Sequence, residues 1–146
     1  MRIKWAVLAV VIVTFSDPSP VASQVGKIAR VGILDVGSSY PERQALWTDF
    51  RNALREAGYV EGKNVAFEFR WGSGQVGTLR ELAGELVRAN VDVIVTAGTP
   101  AALAAKQTTT SIPIVLVLAG DPVRTSLAAN LGRPGGNVTG LTTLST

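Results

Sequence analysis

Apolar and polar positions along residues 28–143 switch between a period near two and a period near 3.6, which spells strand, helix, strand, helix. Residues 30–36 (RVGILDV) are short, β-branched and apolar, and they end at Gly37-Ser38-Ser39. That pattern predicts a buried strand and then a loop. Over residues 42–57, Leu46, Phe50, Ala53, Leu54 and Ala57 fall on one helical face, with Pro41 near the start and Gly58 just past the end. In residues 65–71, Val65, Phe67, Phe69 and Trp71 alternate with Ala66, Glu68 and Arg70. One face of this strand is therefore wet, which puts it at a sheet edge. A second helix over 78–89 turns Leu79, Leu82, Ala83, Leu86 and Val87 inward. Residues 91–97 (VDVIVTA) read as another buried strand. Gly98-Thr99-Pro100 then leads into an alanine-rich helix over 101–108, closed by the polar Thr108-Thr109-Thr110. Residues 112–118 (IPIVLVL) make a fourth strand, with Pro113 tolerated only near its beginning. The remaining pattern predicts a short helix over 123–131, a turn at 132–136 and a fifth extended segment over 138–141.

Near-continuous apolar strands alternating with helices mean an α/β fold: a doubly wound parallel sheet with helices on both faces. The amphipathic second strand belongs at an edge, so the expected strand order is the flavodoxin-like 2-1-3-4-5. Ligands of such sheets bind beyond the carboxyl ends of the strands, at the switch point between strands one and three. The loops there span residues 37–41, 98–101 and 120–122, and all are rich in Gly, Ser, Thr or Pro. Exposed amides at the following helix starts favour a carboxylate or phosphate. Capping and tight turning alone would select the same residue types, so composition leaves both readings open.

The first residues carry a separate signal. Arg2 and Lys4 precede eleven apolar or near-neutral residues, 5–15, which Asp17, Pro18 and Pro20 interrupt before Val21-Ala22-Ser23. A charged start, an apolar stretch and small residues suited to cleavage predict a secretory signal peptide over 1–23. As a helix the stretch reaches about 16 Å, roughly half a bilayer's hydrocarbon core. No cysteine follows it for a lipid anchor. The expectation is a periplasmic or secreted protein, with residues 24–146 forming the α/β lobe.

Composition removes whole classes of chemistry. The chain has no histidine and no cysteine, so disulfides, Cys or Ser-His-Asp nucleophiles and His/Cys zinc sites are excluded. Without the leader the basic and acidic residues stand at twelve and ten. They are well mixed, and no nucleic-acid partner is expected. Residues 72–77 (GSGQVG) match G-x-G-x-x-G, but the strand before them has a polar face and Asp92 begins its strand instead of ending it. Both features argue against a dinucleotide fingerprint and for a flexible loop; no cofactor is expected. Asp35 and Asp121 close two strands and could hold a divalent cation in an exported enzyme domain. No third carboxylate joins them, however, where Thr96 to Thr99 stands. Such aspartates more often cap a turn or bind a ligand amine. Trp47 is expected to pack beside its helix's apolar stripe, whereas Trp71, at the loop end of the edge strand, is a candidate for stacking on an aromatic ligand. Asn137-Val138-Thr139 fits a glycosylation acceptor, which carries no meaning in a bacterial host.

Several stretches together carry a resemblance: 56–65 (EAGYVEGKNV), 91–95 (VDVIV) with 99–102 (TPAA), 112–115 (IPIV), 120–123 (GDPV) and the specific 133–140 (RPGGNVTG). The chain resembles the N-terminal part of ABC-transporter substrate-binding proteins of the tryptophan/tyrosine-binding type. The resemblance implies the first lobe of a two-lobed, type I periplasmic binding fold, which clamps a small solute and passes it to an inner-membrane permease. Carried over by position, the contacts come from Ser38 and Ser39, from Gly98, Thr99, Pro100 and Ala101, and from Gly120 and Asp121, with Trp71 beside them. Members of that family are about twice as long, so the expectation is a chain truncated before its second lobe. The implied role is binding without catalysis; a ligand-sensing module is the other use of this fold.

Overall fold

The computed structural model describes residues 26–121, 123–129 and 136–142. Along the chain run β1 (Ala29–Asp35), α1 (Pro41–Glu56), β2 (Val65–Trp71), α2 (Leu79–Arg88), β3 (Val93–Ala97), α3 (Thr99–Thr108), β4 (Ile114–Ala119) and β5 (Val138–Thr142). A single 3-10 turn, Val76–Thr78, leads into α2. The strands form one sheet in the order β2-β1-β3-β4-β5, and every pairing is parallel. The flavodoxin-like order read from the pattern is therefore the order of the molecule.

Because strand side chains alternate, each strand feeds two cores. Val31 and Ile33 of β1, with Val93, Val95, Val115 and Val117, pack on the face that carries Trp47, Phe50 and Leu54 of α1. Leu34, Ile94, Ile114 and Leu116 pack on the opposite face against α2 and α3. Leu79, Ala83 and Leu86 make the inward stripe of α2, and all are fully buried. Burying one such leucine stabilises by about 1.5–3 kcal/mol, so the helical period directly determines which face docks.

The edge strand keeps its wet face by pairing charges across it. Arg30 donates to Glu68 at 3.0 Å, and Arg70 donates to Glu85 of α2 at 2.6 Å. Each of these partly exposed pairs contributes less than about 1 kcal/mol; their main effect is to cover a strand flank without apolar surface. At the other edge, Gly140 of β5 sits at φ +141° against the backbone of Leu116, where a Cβ would have no room. The β4–β5 register shifts between Leu116 and Ala119 there, and Leu118 has φ +55°. This is a bulge at the carboxyl end of β4.

Two boundaries move for visible reasons. β3 starts after Asp92, because the Asp92 amide donates to the Arg30 carbonyl and its carboxylate accepts from Lys27 and the Arg30 amide. α3 starts two residues earlier than its alanine run, because Gly98 completes the turn by itself. The helix expected over 123–131 is a correction: residues 123–126 form turns and 127–129 are irregular. The Asp121 carboxylate accepts from the Val123 and Arg124 amides, and its carbonyl accepts from Thr125. Lys106 of α3 then takes the Ser126 and Leu127 carbonyls that a helix would have used. Residues 130 and 131, most of the expected turn at 132–136, and the leader over 1–23 lie outside the described residues. Among the described residues no helix is long and apolar enough to cross a membrane.

Candidate functional site

Parallel pairing levels the carboxyl ends of the inner strands. Asp35 stands opposite Trp71 on one side and Ala97 on the other, and Ala97 stands opposite Val117. The loops leaving this row are joined to one another. The Val36 amide donates to the Ala97 carbonyl at 3.3 Å, the Gly98 amide to the Val117 carbonyl at 3.2 Å, and the Gly120 amide to the Thr99 hydroxyl at 3.1 Å. Gly98 has φ +93°, and a Cβ on it would stand 2.7 Å from Val36 Cγ1. Only glycine allows the β1 and β3 loops to approach this closely. The 72–77 loop tucks under the same rim, its Gly72, Ser73 and Gly74 amides donating to the Asp35, Gly37 and Val36 carbonyls. It is a brace within the fold, where the sequence pattern suggested a flexible loop.

Below the first loop lies a buried carboxylate. Asp35 is fully buried and accepts from the Gly37 amide at 2.7 Å, from Trp47 Nε1 at 2.8 Å and from Arg43 Nε at 3.1–3.2 Å. Both oxygens are engaged, and both lie within reach of a guanidinium that would repel a cation. Asp121, in turn, caps the turn that follows it. Neither aspartate is arranged as a cation ligand, which removes the geometric basis of the metal-enzyme reading. Among the described residues there is no group of three or more acidic, His or Cys side chains able to hold a metal ion.

Most of the sequence-derived site falls on this rim. Ser38 is half-buried and Ser39 exposed, with the Ser39 carbonyl accepting from Gln44 Nε2 at 2.8 Å. Thr99 bridges to Gly120, and Pro100 occupies the first turn of α3, where its missing N–H costs nothing. Ala101 is corrected: the whole residue is buried in the core beneath α3, so it presents no surface to a solute. Trp71 is corrected in part. Its backbone ends β2 at the level of the rim, but its ring stacks on Phe69 (5.9 Å, 10°). There it lines a hollow of about 240 Å³ between α1 and β2, with Gln44, Trp47, Thr48, Arg51 and Phe69. Trp47 is buried as expected, but its hydrogen bond to Asp35 was not foreseen. Arg43 was missed as well. Its signal was present in the sequence, a basic residue in the first turn of a helix, eight positions after a strand-ending aspartate.

Comparison with known proteins decides the family. The model of the ABC transporter substrate binding protein family matches residues 30–146, well over half of the chain. The chain belongs to this family. A tyrosine-binding protein of Clostridioides difficile is 36% identical over 91 residues, covering 62% of this chain and 26% of that protein. A domain from Streptococcus pneumoniae solved in complex with L-Trp superposes with a TM-score of 0.72 at 28% identity, over 80% of this chain and 39% of that one. A conserved domain protein from Vibrio cholerae reaches 0.76 at 36% identity, over 82% and 40%. A ligand-free, open substrate-binding protein with adhesive properties from Clostridium difficile reaches 0.71 at 31%, over 77% and 38%. The substrate-binding family member described here thus spans about a quarter of the curated relative and about two fifths of each structural neighbour.

Proposed function

We propose that this chain forms the first lobe of an exported solute-binding component of an ABC import system. The solute is a small molecule, an amino acid, with aromatic ones foremost. It rests on the joined rim of the 37–41, 98–101 and 120–121 loops, and a second lobe closes over it by hinge motion. One observation carries the reading: three Gly/Ser/Thr loops at the carboxyl ends of β1, β3 and β4 are held together by the Val36–Ala97, Gly98–Val117 and Thr99–Gly120 hydrogen bonds. Such a rim is rigid, polar and at the switch point of the sheet, where this architecture takes its ligands. The relatives that bind tyrosine and L-Trp support an aromatic amino acid. In this reading residues 1–23 direct export, the protein works in the periplasm or outside the cell, an inner-membrane permease receives the solute, and no bond of the solute is broken.

The test is isothermal titration of the protein with L-tryptophan, L-tyrosine, other amino acids, sugars and nucleosides. Saturable heat with one or more amino acids is expected. Heat with a sugar or nucleoside and with no amino acid would contradict the ligand class.

A further inference from the structure

We infer that Arg43 is the residue that recognises the carboxylate of the bound solute. The inference rests on the amino-acid reading above and deepens it. Arg43 belongs to the first turn of α1, and its side chain is 30% exposed at the rim. Its guanidinium is fixed from below by Nε, which reaches both oxygens of the fully buried Asp35. It also lies against the 37–41 loop: a Cβ on Gly37 would stand 3.0 Å from Arg43 Nε. Nε is thereby consumed. Nη1 and Nη2 make no hydrogen bond among the described residues.

A guanidinium carries five donors in a rigid plane, and its outer fork matches a carboxylate's two oxygens. An arginine placed only to neutralise Asp35 would gain most by offering Nε and one Nη together to the carboxylate. Here Nε alone is spent on Asp35, and Trp47 and the Gly37 amide supply the remaining hydrogen bonds. The fork is left half-exposed beside Gly37, on a guanidinium held in place through Nε. Pre-orientation matters because a flexible arginine would lose side-chain entropy on capturing the ligand. Asp35 and Trp47 are then positioning residues: they do not touch the solute, and they hold the group that does.

The experiment compares each amino acid with the amine that lacks its carboxylate: L-tryptophan with tryptamine, L-tyrosine with tyramine, L-leucine with isopentylamine. Titrations use the full-length protein and its Arg43→Gln and Arg43→Lys variants; the lysine keeps a positive charge beside Asp35 while removing the fork. For the wild type, the acid of at least one pair should bind about 10- to 100-fold more tightly than its amine, as expected for charge-assisted hydrogen bonds. Both variants should bring that ratio toward one by weakening the acid while leaving the amine within about two-fold. Equal weakening of acid and amine would overturn the assignment, as would an unchanged ratio. Loss of cooperative melting in both variants would place Arg43 in the fold alone and also overturn it. A wild type that binds acid and amine alike overturns Arg43 but leaves an amino-acid-sized site standing. A wild type that binds no member of any pair overturns the amino-acid reading, and this assignment with it.

Discussion

Asp35 is a carboxylate inside an apolar face, and it stays there because each of its oxygens accepts hydrogen bonds. Removing Trp47 Nε1 leaves the buried Oδ2 with only its contact to Arg43, so the cost is that of a poorly satisfied buried acceptor. Trp47→Phe should therefore lower unfolding stability by about 1–3 kcal/mol in urea titration, beyond the small change in packing. Asp92 is governed by a different balance. Burial pushes its carboxyl up, but the hydrogen bonds from Lys27 and the Arg30 amide, with the charges of both, outweigh burial and hold it below its ordinary value of 3.8. A depressed carboxyl stabilises the fold above the unfolded value and loses that contribution as pH falls through the folded one. Asp92→Asn should melt lower than wild type at neutral pH, and the gap should close as pH falls below about 4. A gap that persists in acid would remove the charge from the account. The sequence made Asp35 visible as a strand-ending acid, but its partners were not visible. Trp47 and Arg43 reach it only once α1 is docked, and the helical period tells which face docks but not what the rim of that face grips.

At the scale of elements, the pattern was read most easily where one physical requirement dominated. Near-continuous apolar runs made β1, β3 and β4, and a polar-apolar alternation made β2 an edge. The helix expected over 123–131 failed because several requirements competed there: Asp121 caps locally, Ser126 adopts φ +57°, and Lys106 takes two carbonyls. Two asparagines from the stretches that carried the family resemblance act structurally in the described fold. Asn64 accepts from the Val60 amide and donates to the Gly58 carbonyl, closing the turn before β2. Asn137, which matched a glycosylation pattern, donates to the Thr109 and Ile112 carbonyls and fixes the entry to β4. Gly98 combines turn and rim, so a side chain there acts on both. Gly98→Ala should cost about 1–3 kcal/mol for its left-handed backbone, more if Val36 cannot yield. It should also weaken solute binding by spreading the β1 and β3 loops. Chemical unfolding and a titration on the same preparation check the two effects, and a variant as stable as wild type would contradict the close-approach argument.

For the whole molecule, a parallel sheet with helices on both faces leaves one natural place for a ligand, the row of carboxyl ends. The loops on that row are tied to each other and braced from below by Gly72–Gly74 and Asp35. The rim is therefore a single connected surface at the carboxyl ends of the strands. That the rim exists was legible in the strand order. That Ala101 points into the core and that the Trp71 ring turns toward α1 was not, because side-chain direction at a helix start or strand end depends on packing the pattern does not encode.

The most direct measurement of the central claim is a backbone amide NMR titration of the isotope-labelled protein with L-tryptophan and, separately, L-tyrosine. The account predicts that saturating shift changes concentrate at Gly37, Ser38, Ser39, Gly98, Thr99, Gly120 and Asp121. Changes confined to Thr48, Arg51 and Phe69 would move the site to the α1–β2 hollow and contradict it.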